Sequence, residues 1–380
     1  MNLFSPLAVG PLTLHNRLVL PAMVTRLSGE DGLVNQDILD RYARFARGGV
    51  GLIVVEAMGV SRARSGPLLR IGDDAFLPGL TALAKTVKDN GPAKVVPQII
   101  HFLKISRSGY RQTIHDLSRE DIDGIVADFA AAARRAQAAG FDGVELHMAH
   151  AYTLSSFLSR RNHRRDEFGG SLDNRLRVPT RVLRAVRAAV GADFLIGVRY
   201  DGEECIKDGY SLPDAQGIAL RLAREGAHYL SLSAGGKFED AAPRPGLPLY
   251  PYTGYSGDRC MPGKSYPDGF NLYLAEGVRR ALDAAGFGAT RVVATGKIWR
   301  PEHAAEIIAA RRADLVGMAR QLLADPDWPR KVAAGRADTV VSCEYGNVCK
   351  ALDESFQRVR CTLWPKDALH APESRKAPSA

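Results

Sequence analysis

The stretch that decides the fold is SREDIDGIVADFAAAARRAQAAGFDGVELH, residues 118–147. Its first part carries apolar residues at helical spacing, and Ser118 precedes Asp121 at the spacing of a capping box, which predicts a helix over residues 119–139. Gly140 then stands where a left-handed helix end favours glycine. The apolar run at residues 143–147 is typical of a buried strand. The stretch is therefore one helix and one strand of an α/β fold.

The same alternation of short apolar runs and amphipathic stretches recurs along the chain. Strands are predicted at residues 17–21, 51–56, 94–100, 143–147, 194–199, 229–233, 291–295 and 314–318. Helices are predicted at residues 37–46, 77–88, 119–139, 173–190, 212–225, 272–285 and 303–311. Eight strands with helices between them indicate a parallel sheet closed on itself, so we expect a (β/α)8 TIM barrel. An open doubly wound sheet is the alternative, although it usually has fewer strands.

Other segments lie outside this repeat. Residues 7–14 alternate around Gly10-Pro11, which predicts a β-hairpin that caps the bottom of the barrel. Residues 234–269 are rich in Gly, Pro and Tyr and follow the sixth strand, so we interpret them as a loop that covers the substrate. We expect two domains, a barrel over residues 1–335 and a C-terminal extension over residues 336–380.

Composition limits the class of protein. The chain has 380 residues, 46% of them hydrophobic and 24% charged, which is typical of a globular protein. Its 51 basic and 42 acidic residues give a net charge of +9, but the basic residues do not cluster with aromatic positions, so we expect no nucleic-acid partner. Five cysteines, an odd number, favour reduced thiols. With no signal-peptide pattern and no apolar run of about 18 residues, we expect a cytoplasmic protein outside the membrane.

The strand at residues 143–147 leads into the strongest chemical signal, His147-Met-Ala-His150-Ala-Tyr152. Because active sites of barrels lie at the carboxyl ends of the strands, these two imidazoles and the phenol should meet there. Neutral donors in such a cluster can hold a carbonyl oxygen and deliver a proton beside it. A metal site is the alternative, but Glu145 is expected to point to the opposite side of the strand, so we expect no metal.

Further motifs occur in a fixed order along the chain. They are LFSP at residues 3–6, Asn16-Arg17, the histidine motif at residues 147–152, RDEFGGSLDNR at residues 165–175 and Ala319-Arg320. With these motifs the chain resembles the old yellow enzyme family of FMN-dependent NADH:flavin oxidoreductases and ene-reductases over most of its length. It is similar in particular to the barrel domains of 2,4-dienoyl-CoA reductase and trimethylamine dehydrogenase.

The resemblance implies that FMN lies across the top of the barrel of residues 1–335. The implied cofactor-binding residues are Pro21, Ala22, Met23, Val24, Ala57, Gln98, Arg199, Gly296, Lys297, Ala319 and Arg320. In the family's arrangement Gln98 would bond the pyrimidine edge of the flavin, and Arg199 would place a positive charge beside the reduced ring. Backbone amides of Gly296-Lys297 and Ala319-Arg320 would hold the phosphate.

The resemblance also implies a reaction. NADH or NADPH would reduce the flavin, and hydride would pass from flavin N5 to the β-carbon of an α,β-unsaturated carbonyl compound. His147 and His150 would hold the carbonyl oxygen, and Tyr152 would protonate the α-carbon. Arg26 falls where some relatives contact substrate, so we hypothesise that it binds an anionic group of the substrate. The alternative for Arg26 is a solvated loop arginine.

A different reaction remains open, the dehydrogenation or demethylation of an amine or cyclic substrate. Tyr250, Tyr252 and Tyr255 of the covering loop would then form a cage for a cation. A homo-oligomer is the assembly that the resemblance favours.

Two departures from the family pattern carry further expectations. Val24 replaces a side chain that usually hydrogen-bonds the flavin, which predicts a lower flavin potential. Cys343, Cys349 and Cys361 resemble the ligands of a four-iron cluster in larger relatives, but Gly346 occupies the place of the second cysteine. Because such a cluster needs four ligands, we expect no iron–sulfur cluster, and the three thiols are either a relic or a zinc site.

Overall fold

The computed structural model describes residues 2–62, 66–104, 112–236 and 257–373. The strands are β1 (Leu7–Val9), β2 (Leu12–Leu14), β3 (Leu18–Leu20), β4 (Leu52–Gly59), β5 (Lys94–Ile100), β6 (Gly143–Met148), β7 (Leu195–Asp201), β8 (Tyr229–Ser233), β9 (Arg291–Ala294) and β10 (Leu315–Gly317). Strands β3 to β10 close into a parallel barrel, each beside its chain neighbour, with β10 pairing β3. The predicted (β/α)8 TIM barrel is confirmed, and the open sheet is wrong.

Helices surround the barrel, and each predicted helix has a counterpart. The α-helices are α1 (Gln36–Arg47), α2 (Leu77–Asn90), α3 (Arg119–Ala138), α4 (Thr153–Leu158), α5 (Leu172–Val190), α6 (Leu212–Arg224), α7 (Gly257–Cys260), α8 (Leu272–Ala284), α9 (Pro301–Ala309), α10 (Ala319–Ala324), α11 (Trp328–Ala333) and α12 (Val348–Glu354). Short 3-10 helices lie at Asp74–Phe76, Ile114–Asp116 and Ala337–Thr339. The capping box of α3 is formed between Ser118 and Asp121, and Gly140 has the expected left-handed φ of 84°.

The β1–β2 hairpin closes the bottom of the barrel, as predicted. Val9 and Leu14 are fully buried and belong to one apolar cluster with Leu52 and Leu315, which line the barrel interior. Burying these side chains removes apolar surface from water, which stabilises the closed lower end.

Tyr229 separates this apolar lower half from the polar upper half of the interior. Its ring crosses the barrel so closely that a Cβ on Gly197 would lie 2.0 Å from a ring carbon, and only glycine fits there. The Tyr229 hydroxyl donates to Glu145 Oε2 at 3.0 Å. The polar side chains above this level are therefore presented at the carboxyl ends of the strands.

The C-terminal extension packs against α1. Arg41 Nη2 donates to the carbonyl oxygen of Val359 at 2.8 Å, and its guanidinium lies 4.8 Å from the ring centre of Trp364. Arg44 Nη2 donates to the carbonyl oxygen of Pro372 at 2.9 Å. These contacts join the described part of the extension to the barrel, while a domain boundary between residues 335 and 336 stays a prediction.

Candidate active site

A cavity of about 1220 Å³ opens at the carboxyl ends of the barrel strands. Every residue that the sequence predicts for catalysis, cofactor binding or substrate binding lines it. They are Pro21, Ala22, Met23, Val24, Arg26, Ala57, Gln98, His147, His150, Tyr152, Arg199, Gly296, Lys297, Ala319 and Arg320. The structure therefore brings the predicted site together, while the role of each residue stays a prediction. Tyr250, Tyr252 and Tyr255 lie outside the described residues.

The two histidines at the carboxyl end of β6, His147 within the strand and His150 just after it, form one hydrogen-bonded pair. His147 Nε2 lies 3.3 Å from His150 Nδ1. The backbone N–H of Ala149 donates to His147 Nδ1 at 3.2 Å, so a neutral His147 carries its proton on Nε2. His147 therefore donates to His150, and the proton of His150 lies on Nε2. That nitrogen faces Ser233 Oγ at 2.6 Å and Cys260 Sγ at 3.1 Å.

His150 is held as a neutral imidazole in an unusual backbone conformation. Burial lowers its pKa well below the usual range, and the neighbouring His147 and Arg199 lower that pKa further. The backbone N–H of His150 donates to Asp201 Oδ2 at 2.8 Å. His150 and Ala151 both have left-handed backbones, with φ of 61° and 58°. Because this region is strained for residues with a Cβ, the surrounding contacts must hold the turn in place.

Tyr152 stands beside this pair, at the start of α4. Its ring centre lies 5.1 Å from that of His147 and 5.2 Å from that of Phe102, both edge to face. The next residue, Thr153, donates through Oγ1 to the carbonyl oxygen of His101 at 3.0 Å. The segments that follow two adjacent strands, β5 and β6, therefore position the phenol. A phenol is protonated at neutral pH, so Tyr152 can act as a proton donor.

The floor of the cavity is a polar layer inside the barrel. Gln98 Nε2 donates to Glu145 Oε1 at 2.7 Å. Arg199 donates through Nη1 to Ser231 Oγ at 3.2 Å and through Nη2 to Ser233 Oγ at 3.3 Å. These bonds fix a positive charge and an amide beneath the space that the resemblance assigns to the flavin.

The expected orientation of Glu145 is wrong. Residues two apart on a strand share a face, so Glu145 points into the barrel like His147, one layer below it. Its carboxyl group is bonded to Gln98 and Tyr229, and burial raises its pKa. Within the described ranges, no three His, Cys, Asp or Glu side chains are arranged to hold a metal ion.

The end of the cavity after β9 and β10 offers backbone groups. Gly296 has φ of 115°, and a Cβ there would lie 2.8 Å from the Cβ of Asn271. The close approach at this turn therefore requires glycine. Ala319 and Arg320 open α10, where the first N–H groups have no partner within a helix. Backbone amides of this kind can bind an anion.

The two basic side chains at this end turn toward protein oxygens. Arg320 Nη1 donates to the carbonyl oxygen of Pro262 at 2.8 Å and to Asn347 Oδ1 at 2.5 Å. Lys297 Nζ donates to the carbonyl oxygen of Lys264 at 3.0 Å. Both cations also lie over the ring of Tyr345. They keep a positive charge near the backbone amides without pointing freely into the cavity.

These features fit FMN, a flat ring system that carries a phosphate. The small side chains of Ala22 and Ala57 line the cavity, and a Cβ on Gly317 would come within 2.8 Å of Thr295 Cγ2. The amide of Gln98 suits a pyrimidine edge, which needs both a donor and an acceptor. The amides at the β9 and β10 ends suit the phosphate.

Arg26, on the loop after β3, is buried with 8% of its surface exposed. Its Nε donates to Asp353 Oδ1 at 2.8 Å, and its guanidinium lies 4.5 Å from the ring centre of Phe356. The neighbouring Thr25 accepts at its carbonyl oxygen from Val359 N at 2.8 Å. We call Arg26, Asp353, Phe356 and Val359 the extension wall. Arg26 is therefore not a solvated loop arginine, and its binding of substrate stays a prediction.

Sequence reasoning missed several residues at this site. Ser233 ends β8, and its strand-end position was a usable signal. Cys260 lies within residues 234–269, the predicted covering loop, and neither spacing nor periodicity pointed to it. Asp353 and Phe356 were missed because nothing local links the extension to the loop after β3.

The three cysteines of the extension influence one another. Burial raises the thiol pKa of Cys343, Cys349 and Cys361, and the two other thiols raise that of Cys361 further. A Cβ on Gly346 would meet no heavy atom within 4 Å, so the position has room for a side chain. Three thiols do not supply the four thiolates that a four-iron cluster needs, and the absence of such a cluster stays a prediction.

Comparison with known proteins defines the class. Residues 2–113, 102–239 and 283–339 match the NADH:flavin oxidoreductase / NADH oxidase family. The chain belongs to this family, so the resemblance to old yellow enzymes and NADH:flavin oxidoreductases is confirmed. No helix in the described part of the chain is long and apolar enough to cross a membrane.

Individual relatives differ in length and in name. The NADH oxidase of Thermoanaerobacter brockii is 34% identical over 96% of this chain and 56% of its own. The NADPH dehydrogenase of Geobacillus sp. (strain WCH70) is 32% identical over 90% of this chain and 97% of its own. The structure of histamine dehydrogenase from Rhizobium sp. 4-9 has a TM-score of 0.79 and 25% identity over 96% of this chain and 52% of its own. The chain spans about half the length of several curated relatives.

Proposed function

We propose that the protein is an FMN-dependent oxidoreductase that uses NADH or NADPH to reduce the activated C=C bond of an α,β-unsaturated carbonyl compound. The observation that carries the proposal is the neutral His147–His150 pair beside Tyr152. Imidazole N–H groups stabilise an oxygen that gains negative charge, an effect typically worth about 3 kcal/mol, and a substrate oxygen would replace the hydrogen bond within the pair. The adjacent phenol offers the proton that the reduced carbon needs.

Each residue has a distinct task in this proposal. FMN, when bound, supplies the hydride that it receives from NADH or NADPH. His147 and His150 hold the carbonyl oxygen and stabilise the enolate charge, and Tyr152 protonates the α-carbon. Arg199 keeps a fixed positive charge under the ring, which favours the anionic reduced form, and Gln98 orients the pyrimidine edge.

We also infer that Arg26 binds an anionic group of the substrate. Its guanidinium lines the same cavity as Tyr152 and is paired with Asp353. Burial raises the pKa of Asp353, which means that its negative charge is poorly solvated. A substrate carboxylate that reaches Arg26 would compete with Asp353 for the same cation.

The test is the visible spectrum of the FMN-loaded protein without oxygen. We expect NADH or NADPH to bleach the two flavin bands and cyclohexenone to restore them. Bands that bleach with a nicotinamide but do not return with cyclohexenone or a dienoyl thioester would contradict the reduction of C=C bonds.

The second candidate is the oxidation of an amine. It is favoured by the similarity to histamine dehydrogenase, which covers 96% of this chain. In this case the electrons flow from substrate to flavin, so an amine rather than a nicotinamide should bleach the flavin bands. Titration with histamine, dimethylglycine and trimethylamine in the same cuvette distinguishes the two reactions.

We further infer that the purified protein holds no four-iron cluster. Gly346 stands where the family has a fourth cysteine, so the extension offers three thiols where a four-iron cluster needs four. Iron and acid-labile sulfide should both be below one atom per chain, and the Gly346→Cys variant serves as the control with four thiols. Four irons and four sulfides in the wild type would contradict this inference.

A further inference from the structure

We propose that Asp201 is a positioning residue that holds the turn between His150 and Tyr152, so that the imidazole and the phenol reach the same substrate. The inference rests on the proposed function, in which His150 holds the carbonyl oxygen and Tyr152 supplies the proton. Only Ala151 separates these two residues in the sequence. The conformation of the backbone at this point therefore decides how the two side chains are placed relative to each other.

The backbone between the two side chains forms a turn with positive φ at both central residues, as in a type I′ turn. The N–H of Tyr152 donates to the carbonyl oxygen of Ala149 at 3.3 Å. The central residues, His150 and Ala151, have φ of 61° and 58°. Two successive positive φ values are costly for residues with a Cβ, and glycine, asparagine and aspartate dominate at such positions. The sequence His150-Ala151 does not favour this turn by itself, so neighbouring groups have to hold it.

Asp201, the last residue of β7, supplies a hydrogen bond that holds the turn. The bond within the turn uses the N–H of Tyr152, so the N–H of the buried His150 needs a partner elsewhere. Oδ2 of Asp201, a residue with 1% of its surface exposed, accepts this N–H at 2.8 Å. Gly236, after β8, also packs against the turn, since a Cβ there would lie 2.7 Å from the carbonyl carbon of His150. Groups from two neighbouring strands therefore fix the turn.

The hydrogen bond from His150 does not depend on the charge of Asp201. Burial raises the pKa of this carboxyl group well above its usual range, although the hydrogen bond from the His150 N–H lowers that pKa again. A carboxyl group keeps an oxygen that accepts a hydrogen bond in both its charged and its neutral form. Asparagine at position 201 would offer a carbonyl oxygen for the same bond, whereas alanine would leave the N–H of His150 without this acceptor.

The experiment compares Asp201→Ala and Asp201→Asn in the FMN-loaded protein by stopped-flow absorbance. Return of the flavin bands with cyclohexenone should slow about tenfold in Asp201→Ala and stay within about twofold of the wild type in Asp201→Asn. Bleaching by NADH or NADPH should change little in both variants, because this step takes no proton from Tyr152. Tyr210→Phe is the matched control, since it removes the 2.7 Å hydrogen bond to the backbone carbonyl oxygen of Asp201 and leaves the carboxyl group in place. It should lower the stability toward urea but not the rate of reoxidation.

A second set of measurements tests the turn itself. Ala151→Gly makes a positive φ accessible without a steric cost, so the turn should depend less on Asp201. In the Ala151→Gly protein, Asp201→Ala should therefore slow reoxidation only about threefold. Hydrogen exchange followed by mass spectrometry examines the turn without turnover. The peptide that carries residues 147–158 should exchange faster in Asp201→Ala than in the wild type and in Asp201→Asn.

Three results would overturn the positioning role of Asp201. Equal slowing in Asp201→Ala and Asp201→Asn would mean that the residue acts through its charge, since Oδ1 lies 4.0 Å from His150 Nε2. Equal slowing of both half-reactions would indicate general damage to the site, and normal reoxidation in Asp201→Ala would remove any role. A wild type whose flavin bands never return with cyclohexenone would contradict the proposed function alone, because the exchange of residues 147–158 would still decide whether Asp201 holds the turn.

Discussion

The two walls of the cavity hold their polar groups in different ways. We call His147, His150 and Tyr152 the histidine wall. They lie at the carboxyl end of a single strand, β6, and are fixed by Asp201 on β7, Ser233 on β8 and Phe102 just after β5. The extension wall joins Arg26 to Asp353, which is 327 residues away along the chain. One wall is therefore a property of the barrel, whereas the other exists only because the C-terminal extension folds back over the loop after β3.

This difference separates two kinds of chemistry. The histidine wall keeps neutral donors in a buried network, which suits a reaction step that every substrate shares. The extension wall offers a cation in a replaceable ion pair, which suits discrimination between substrates. Substitutions in the histidine wall should therefore change the rate of catalysis. Substitutions on the side of the cavity that carries Arg26 should change substrate selectivity or the flavin potential.

The largest effect is expected for Tyr152→Phe. Losing a general acid typically lowers the rate of proton transfer about 10²–10⁴-fold, so return of the flavin bands with cyclohexenone should slow by that amount. Bleaching by NADH or NADPH should be unchanged, because the ring contacts of Tyr152 with His147 and Phe102 do not need the hydroxyl. Stopped-flow absorbance measures the two half-reactions separately, and equal slowing of both would argue against a proton-donor role.

The next largest effect is the pH dependence of the free energy of unfolding that His101 causes. Burial lowers the pKa of His101, whose Nδ1 lies 2.9 Å from Thr153 Oγ1, to about 4, while an unfolded histidine titrates near 6.5. As the pH falls, the unfolded state binds a proton on His101 at a higher pH than the folded state does. The free energy of unfolding is therefore highest above pH 6.5 and falls by up to about 3 kcal/mol as the pH approaches 4. Urea unfolding of the wild type and His101→Gln at several pH values isolates the effect. A pH dependence that is identical in the two proteins would contradict it.

The two walls also differed in how far the sequence could predict them. The carboxyl ends of the strands in a parallel barrel meet at one face. Hydrophobic periodicity alone therefore predicted that the residues at the end of β6 lie beside those at the ends of the other barrel strands. The family resemblance supplied their roles. The pairing of Arg26 with Asp353 depends on where a short helix of the extension docks, which no local pattern encodes. The orientation of Glu145 could have been predicted, since it follows from strand alternation.

A smaller effect should sharpen the role of the extension wall. Arg26→Ala removes a charged hydrogen-bond donor, so a carboxylated enone should bind about tenfold more weakly, whereas a neutral enone should bind nearly as before. Asp353→Asn is the matched variant, because it keeps Arg26 and removes the competing charge, and it should strengthen binding of the carboxylated enone. Dissociation constants from flavin difference spectra measure both. If Arg26→Ala weakened the two ligands equally, the cation would have no role in selectivity.

The smallest effect is expected at Val24, on the same loop as Arg26. A threonine there would add a hydroxyl that hydrogen-bonds the flavin, and a donor favours the more electron-rich reduced ring. One hydrogen bond of about 1 kcal/mol corresponds to about 20 mV for a two-electron couple, so Val24→Thr should raise the flavin potential by that amount. Anaerobic titration against a reference dye measures the shift, with Val24→Ala as the variant that changes size without adding a donor. If both variants shifted the flavin potential equally, residue 24 would act through the size of its side chain alone. A hydrogen bond from this position to the flavin would then be excluded.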